Sequence, residues 1–210
     1  MAEIGAIIIE GHVQGLSNAR ALGEMGVPVY VVDQRACIAS HSKYCRKFFQ
    51  CPPFDSDQFA SFLTDLAVKE QVQNWVLLPS NDHAVMTLSR NKDHLSKYFR
   101  VITPGWEVIQ HVYDKIKLLE IAEQEGVPSP QIYTLDLDLN SDAEDTDTDT
   151  DKEGRTLTYP VITKGRFGLS FYKATGKKAF LSNDWTELRN HLKWIQSKLP
   201  LEETFTQEVL

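Results

Sequence analysis

Apolar residues in the first half of this chain follow two alternating rhythms. Ile4 to Ile9 and Val27 to Val32 are short, nearly continuous apolar runs, as expected of parallel strands buried on both faces. Ser17 to Gly26, between them, has helical spacing, so the chain opens as a βαβ unit. Ser56 to Gln71 is again helical, with Phe59, Phe62, Leu63, Leu66 and Ala67 on one side. Trp75 to Leu78 then reads as a strand, Asp82 to Ser89 as a helix and Arg100 to Thr103 as a short strand. Strand alternating with helix predicts an α/β protein with a Rossmann-like, doubly wound parallel sheet.

The second half changes character. A helix opens at Tyr113-Asp114-Lys115 and stops at Gly126, with Pro128 and Pro130 forcing extended chain beyond it. On its helical wheel Val112, Ile116, Leu118, Leu119 and Ala122 share one arc, and Lys115 projects from inside that arc while Lys117 points away. An ammonium there either snorkels past the core to water or reaches an anion in a polar cleft. Tyr159 to Lys164 reads as a strand, followed at once by Gly165, Gly168 and Gly176 interleaved with Arg166, Lys173, Lys177 and Lys178. That stretch is either a solvated basic hairpin or a close-approach surface whose cations meet phosphate oxygens. Trp185 to Leu199 is a further helix.

Composition adds limits. With 210 residues, 42% apolar and 24% charged, the chain suffices for one large or two small domains. Its acidity is local: seven acids against Lys152 between Asn140 and Glu153 account for six of the seven net negative charges. The remainder is nearly neutral, which points away from nucleic acid or an anionic membrane as partner. The acidic run alternates Asp and Thr with almost no apolar content, and predicts a disordered insertion over about 140–153. A calcium loop is the sharper alternative, but it lacks the glycine at the sixth and the glutamate at the twelfth loop position in suitable register. Cys37, Cys45 and Cys51 lack both CxxC pairing and an even count, so they read as reduced thiols, and with no signal-peptide pattern the expected location is cytoplasmic. No metal site is predicted.

Ligands of parallel sheets sit at the carboxyl ends of the strands. The turns there are Glu10 to Gly15, Asp33-Gln34-Arg35 and Pro79 to Asp82. Gly11 and Gly15 allow an anion to approach the following helix N-terminus, with His12 and Asp82 as possible substrate-facing side chains. Exposure of His12, and helix capping by Ser80, Asn81 or Asp82, are the plainer readings. The spacing is not GxGxxG, although Asp33 stands where a ribose-binding acid would lie, so a nicotinamide-dependent dehydrogenase is one alternative.

The order of these segments narrows the field. A Rossmann-like start with Gly11 and Gly15, Leu77 to Asp82, Asp114-Lys115 leading a helix, Gly126 to Pro130, Tyr159 to Lys164 and finally Gln207-Glu208-Val209-Leu210 resembles the ATP-grasp superfamily, and within it the predicted ATP-dependent carboxylate-amine ligases. The resemblance implies a preATP-grasp domain over 1–111, then over 112–210 a small α+β first lobe of the ATP-grasp fold. It implies that Lys115 and Lys164 contact ATP phosphates, that Lys178 is a further phosphate-side cation, and that Glu208, Val209 and Leu210 form the hinge receiving adenine. The implied substrates are a small-molecule carboxylate and an amine, joined through an acyl-phosphate. Two departures stand out. Gly165 occupies a position where the family commonly has proline, and the sequence ends at Leu210, where the family continues into a second lobe carrying the Mg²⁺ ligands. The chain alone is therefore expected not to turn over, and Mg²⁺ is expected only with a second lobe, a second-lobe polypeptide or a homo-oligomer being the possible protein partners. Trp194, Ile195 or Phe205 are the residues expected to expose apolar surface. A non-catalytic nucleotide- or metabolite-binding module is the other alternative.

Overall fold

The apolar runs of the first half form parallel strands. In the computed structural model, which describes residues 3–135 and 150–209, β1 (Ala6–Ile9), β2 (Val29–Asp33), β3 (Cys45–Gln50), β4 (Val76–Pro79) and β5 (Arg100–Val101) lie in the order β3-β2-β1-β4-β5, every pair parallel. Ile7, Ile9, Val32 and Leu77 pack with Phe59 and Leu63 of α2 (Asp57–Lys69), Leu88 of α3 (Asp82–Arg90) and Leu95 of α4 (Lys92–Leu95). Ile8, Val29 and Val31 turn the other way and pack with Ala19 of α1 (Val13–Glu24). Helices thus cover both faces, and that double burial is why the strands read as continuous apolar runs rather than alternating ones.

β3 is an edge strand and follows a different rule. None of its residues is fully buried, and Arg46 and Lys47 pair with Glu3 and Glu70. Charge on an exposed edge discourages pairing with another chain, and it also hides the strand from a search for apolar runs.

The chain divides into two units, Met1–Gln110 and His111–Leu210, with α5 (Trp106–Tyr113) spanning the division. The second unit contains α6 (Lys115–Gln124), β6 (Ile132–Tyr133), β7 (Val161–Gly165), α7 (Gly168–Thr175), β8 (Ala179–Ser182), α8 (Trp185–Gln196) and β9 (Thr204–Glu208). Its four strands form an antiparallel sheet in the order β6-β9-β7-β8. Paired residues share a face, so Val161, Thr163, Phe180, Ser182 and Thr206 lie together on one side. Val161 packs with Leu188 and Leu192 of α8, Phe180 with Ile195, and Ser182 Oγ lies 2.9 Å from His191 Nδ1. Ile162, Lys164, Ala179, Leu181, Phe205 and Gln207 therefore line the opposite face.

Several expectations change here. The glycine- and lysine-bearing stretch after β7 is not a hairpin: it folds as α7, which ends at Gly176 in the left-handed conformation. The apolar arc of α6 is not buried, since no residue of that helix is fully buried and Leu118 is exposed. Trp194 is 42% exposed, but Ile195 and Phe205 belong to the core. Of the acidic stretch, residues 140–149 lie outside the described residues. The last four are within them, and there Thr150 bridges Thr156 and Asp151 is buried.

Candidate functional site

Asp114 is the single extended residue between α5 and α6 and caps α6, accepting a hydrogen bond from the Ile116 N–H at 3.1 Å. The same carboxylate takes a two-pronged contact from Arg166, Nη2 to Oδ2 at 2.5 Å and Nε to Oδ1 at 3.3 Å. Burial pushes the Asp114 carboxyl up, but the Arg166 guanidinium and the Ile116 N–H more than offset this, so it sits below the usual carboxylate range. On either side of this pair the two segments also touch. The Tyr113 and Phe167 rings are 5.5 Å apart, the Lys115 N–H donates to Arg166 O at 3.3 Å, and Lys115 Nζ donates to Gly165 O at 3.4 Å. Residues 113–115 thus lie against 165–167 in opposite order. A Cβ on Gly168 would stand 2.9 Å from Lys115 Nζ, so the ammonium rests against the backbone that starts α7.

Lys164 precedes that clasp by one residue and belongs to the sheet face opposite α8. Its register partners are Ala179 and Phe205. Lys178 is exposed and immediately precedes β8, beside Ala179. Lys115, Lys164 and Lys178 are thereby brought to one end of the second sheet. Glu208 pairs with Val161, three positions from Lys164 along β7, or about 10 Å at a strand rise of about 3.3 Å per residue. Glu208 is tied to the β6 side, its N–H donating to Gln131 O at 3.0 Å and its Oε1 accepting from the Gln131 N–H at 2.9 Å. Val209 is 45% exposed, and Leu210 lies outside the described residues.

Arg166 read from sequence as one more cation for phosphate oxygens, yet the structure pairs it with Asp114. That contact crosses 52 positions, and no local pattern announces it. The Asp-Lys start of α6 was legible as the opening of a helix, and the distant partner of Asp114 was not.

Gly11, His12, Gly15 and Asp82 belong to the first unit. The Gly11 N–H donates to Asp33 Oδ2 at 2.9 Å, and Asp33 Oδ1 accepts from the Gln34 N–H at 2.7 Å. A Cβ on Gly11 would lie 2.2 Å from Cys37 Sγ, and one on Gly15 2.1 Å from Glu10 O. Close packing therefore demands both glycines, and Gly11 gives its donor to the protein's own carboxylate rather than to an external anion. Asp33 thus accepts one backbone donor on each oxygen. His12 is exposed and makes no capping bond. Asn81 caps α3, accepting from the Ala84 N–H at 2.8 Å, and Asp82 is the first residue of that helix. Glu10, which the sequence reading passed over, adopts φ 71° at the end of β1, and burial raises its carboxyl above the usual range. Glu10, Asp33 and Asp82 are thus near one another at this end of the sheet.

A cavity of about 870 Å³ lies in the second unit between α6, the 126–135 segment and residues 204–206 of β9. None of Lys115, Lys164, Lys178 or Glu208 lines it. Cavity size and charge convergence therefore point to different places. The cavity's own lining includes Lys152 and Arg155 beside Glu120, Glu123, Glu153 and Glu202, so its charge is mixed, whereas Lys115, Lys164 and Lys178 are all cations.

No family model matches the chain, and no curated protein matches it by sequence. Solved structures do match its fold. N5-carboxyaminoimidazole ribonucleotide synthetase from Thermotoga maritima aligns over 99% of this chain at 19% identity with a TM-score of 0.59. L-amino acid ligase from Bacillus licheniformis aligns over 100% at 11% identity and 0.65. The biotin carboxylase domain of Hydrogenobacter thermophilus 2-oxoglutarate carboxylase, solved with MgADP, ADP and bicarbonate, aligns over 100% at 17% identity and 0.64. The chain has the preATP-grasp and first-lobe architecture of the ATP-grasp fold. It spans less than half of each matched structure, 46%, 45% and 45% respectively.

Proposed function

We propose that this chain supplies the nucleotide-binding front portion of an ATP-dependent carboxylate-amine ligase. Lys115 and Lys164 hold the phosphates, Lys178 adds a cation at the same end, and the segment of Glu208, Val209 and Leu210 receives adenine. The single observation carrying this reading is Lys115 Nζ at 3.4 Å from Gly165 O, the neighbour of Lys164, across 50 positions of sequence. Two lysines are held at one end of the second sheet, and an oligophosphate is a ligand class that such a pair of cations suits. The distance of about 10 Å from there to Glu208 along the strand suits a ligand with a base at one end and phosphates at the other.

ATP supplies the phosphoryl group when bound. This chain's residues bind and orient it and neutralise charge on its oxygens, which is most of what phosphoryl transfer asks of a protein. The proposed reaction of the longer assembly is attack of a carboxylate oxygen on the terminal phosphorus with loss of ADP. An amine nitrogen then attacks the acyl carbon and phosphate leaves. Among the described residues no group of three or more His, Cys, Asp or Glu side chains is placed to hold a metal, so no step here is assigned to Mg²⁺.

Calorimetric titration of the chain with ATP and with adenosine tests the reading. Lys115→Ala and Lys164→Ala should each weaken ATP binding about tenfold or more, the scale of a hydrogen bond to a charged group, and leave adenosine binding unchanged. No ATP binding by the wild type, or equal loss of both ligands, would sink the proposal.

A further inference from the structure

The contacts between residues 113–115 and 165–167 form a small clasp. Tyr113 meets Phe167, Asp114 meets Arg166, and Lys115 meets Gly165 through its ammonium and Arg166 O through its N–H. The side-chain contact at its centre is charged, two-pronged and largely withdrawn from water, with the Asp114 side chain 7% exposed and that of Arg166 31% exposed. On one side the clasp is followed by α6, on the other it is preceded by Lys164. The Arg166 N–H also donates to Glu203 O at 2.8 Å, so its backbone is fixed from the β9 side. The Asp114–Arg166 pair is thus the charged, two-pronged member of a set of contacts joining the segments that carry the two lysines.

We infer that Asp114 and Arg166 are positioning residues for nucleotide binding: their ion pair fixes the first turn of α6 against the end of β7 and so presets the separation of Lys115 and Lys164. The inference rests on the reading of those lysines as phosphate ligands. A guanidinium facing a carboxylate through two bonds restrains angle as well as distance, which a lysine ammonium in its place would not do. A preset pair of cations binds an oligophosphate more tightly than a mobile pair, because less freedom is lost on binding. The arrangement also explains why Arg166, although surrounded by glycines and lysines, is not one of the phosphate cations: its charge is committed to Asp114.

Asparagine at 114 separates this role from a purely structural one, because it still caps the helix while removing the charge that Arg166 grips. In the whole chain, Asp114→Asn and Arg166→Lys are each expected to weaken ATP binding about tenfold while leaving adenosine binding within twofold of wild type. The double variant Asp114→Asn with Arg166→Lys should be no weaker for ATP than either single change, since both disturb one contact. Equal losses for ATP and adenosine would mean that the pair merely holds the lobe together, and would overturn the inference. So would unchanged ATP binding in both single variants, provided Lys115→Ala and Lys164→Ala still weaken it. If those lysine variants bind ATP normally, the nucleotide reading fails and the positioning role falls with it. Arg166→Lys guards against a folding artefact, because it retains the charge; a drop in ATP affinity there with an unchanged melting temperature is the outcome unique to positioning.

Discussion

Asp151 illustrates how one side chain can contradict the composition around it. It closes the acidic run, yet its side chain is fully buried. Its Oδ1 accepts from the N–H groups of Glu153 and Arg155 at 3.1 and 2.9 Å, and its Oδ2 from Arg155 Nε at 2.7 Å. Burial alone would raise the carboxyl, but the Arg155 guanidinium and these backbone donors prevail and hold it at about 2. A carboxylate lowered in the folded state stabilises it fully above its unfolded value of about 4, and the contribution disappears as pH falls toward about 2. Urea unfolding followed from pH 7 down to pH 3 should therefore show wild-type stability falling through the acid range more steeply than that of Asp151→Asn. At neutral pH that variant should be less stable by about 1–2 kcal/mol, the cost of charged hydrogen bonds lost. Parallel acid limbs for the two proteins would show that the carboxyl is not held down. The sequence gives Asp151 no distinction from Asp142 or Asp149, because what sets it apart is Arg155 and the turn through Gly154.

Elements were legible in proportion to how much of their burial was periodic. β1, β2 and α2 announce themselves because both faces of a strand, or one stripe of a helix, meet a core. β3 escapes because its edge carries Arg46 and Lys47, and α7 because glycines and lysines mask a helix whose buried residues are only Phe171 and Thr175. The site divides the same way. The cap on α6 and the strand carrying Lys164 are local signals, whereas the clasp joining them is a meeting of distant segments. The β1–α1 turn shows the opposite case, a local signal with a different cause. Gly15, buried in the first turn of α1, looked like room for an anion, but its α-carbon lies against the Glu10 carbonyl, where a methyl would intrude to 2.1 Å. The neighbouring atom is backbone and has little freedom to retreat. Gly15→Ala should therefore cost roughly 2–3 kcal/mol, at the upper end for overpacking, even though alanine favours helix. Chemical denaturation measures it. A neutral or stabilising effect would mean the turn is looser than the geometry implies, and would return the anion-cradle reading to consideration.

At the scale of the molecule, each unit has its own apolar core, the first around Ile7, Phe59 and Leu77, the second around Val161, Leu188 and Ile195. No helix among the described residues is long and apolar enough to cross a membrane. Separate cores predict that a ligand of one unit raises the melting of that unit alone, as mass action on a single folding equilibrium requires. The cysteines make this measurable. Cys37 and Cys51 are buried in the first unit, and burial pushes the Cys51 thiol up to about 12, so it is inert until that unit opens. The second unit has none. Thiol labelling along a temperature ramp therefore reports the first unit, while calorimetry reports both. At ATP concentrations a hundredfold above Kd, the stabilisation of about 2.7 kcal/mol should move the transition of His111–Leu210 upward by on the order of 10 °C and leave the labelling midpoint of Cys51 where it was. Equal shifts in both readouts would mean that the units unfold as one, or that nucleotide contacts the first unit as well. A shift confined to Cys51 labelling would move the nucleotide site out of the second unit altogether, and with it the roles proposed for Lys115 and Lys164.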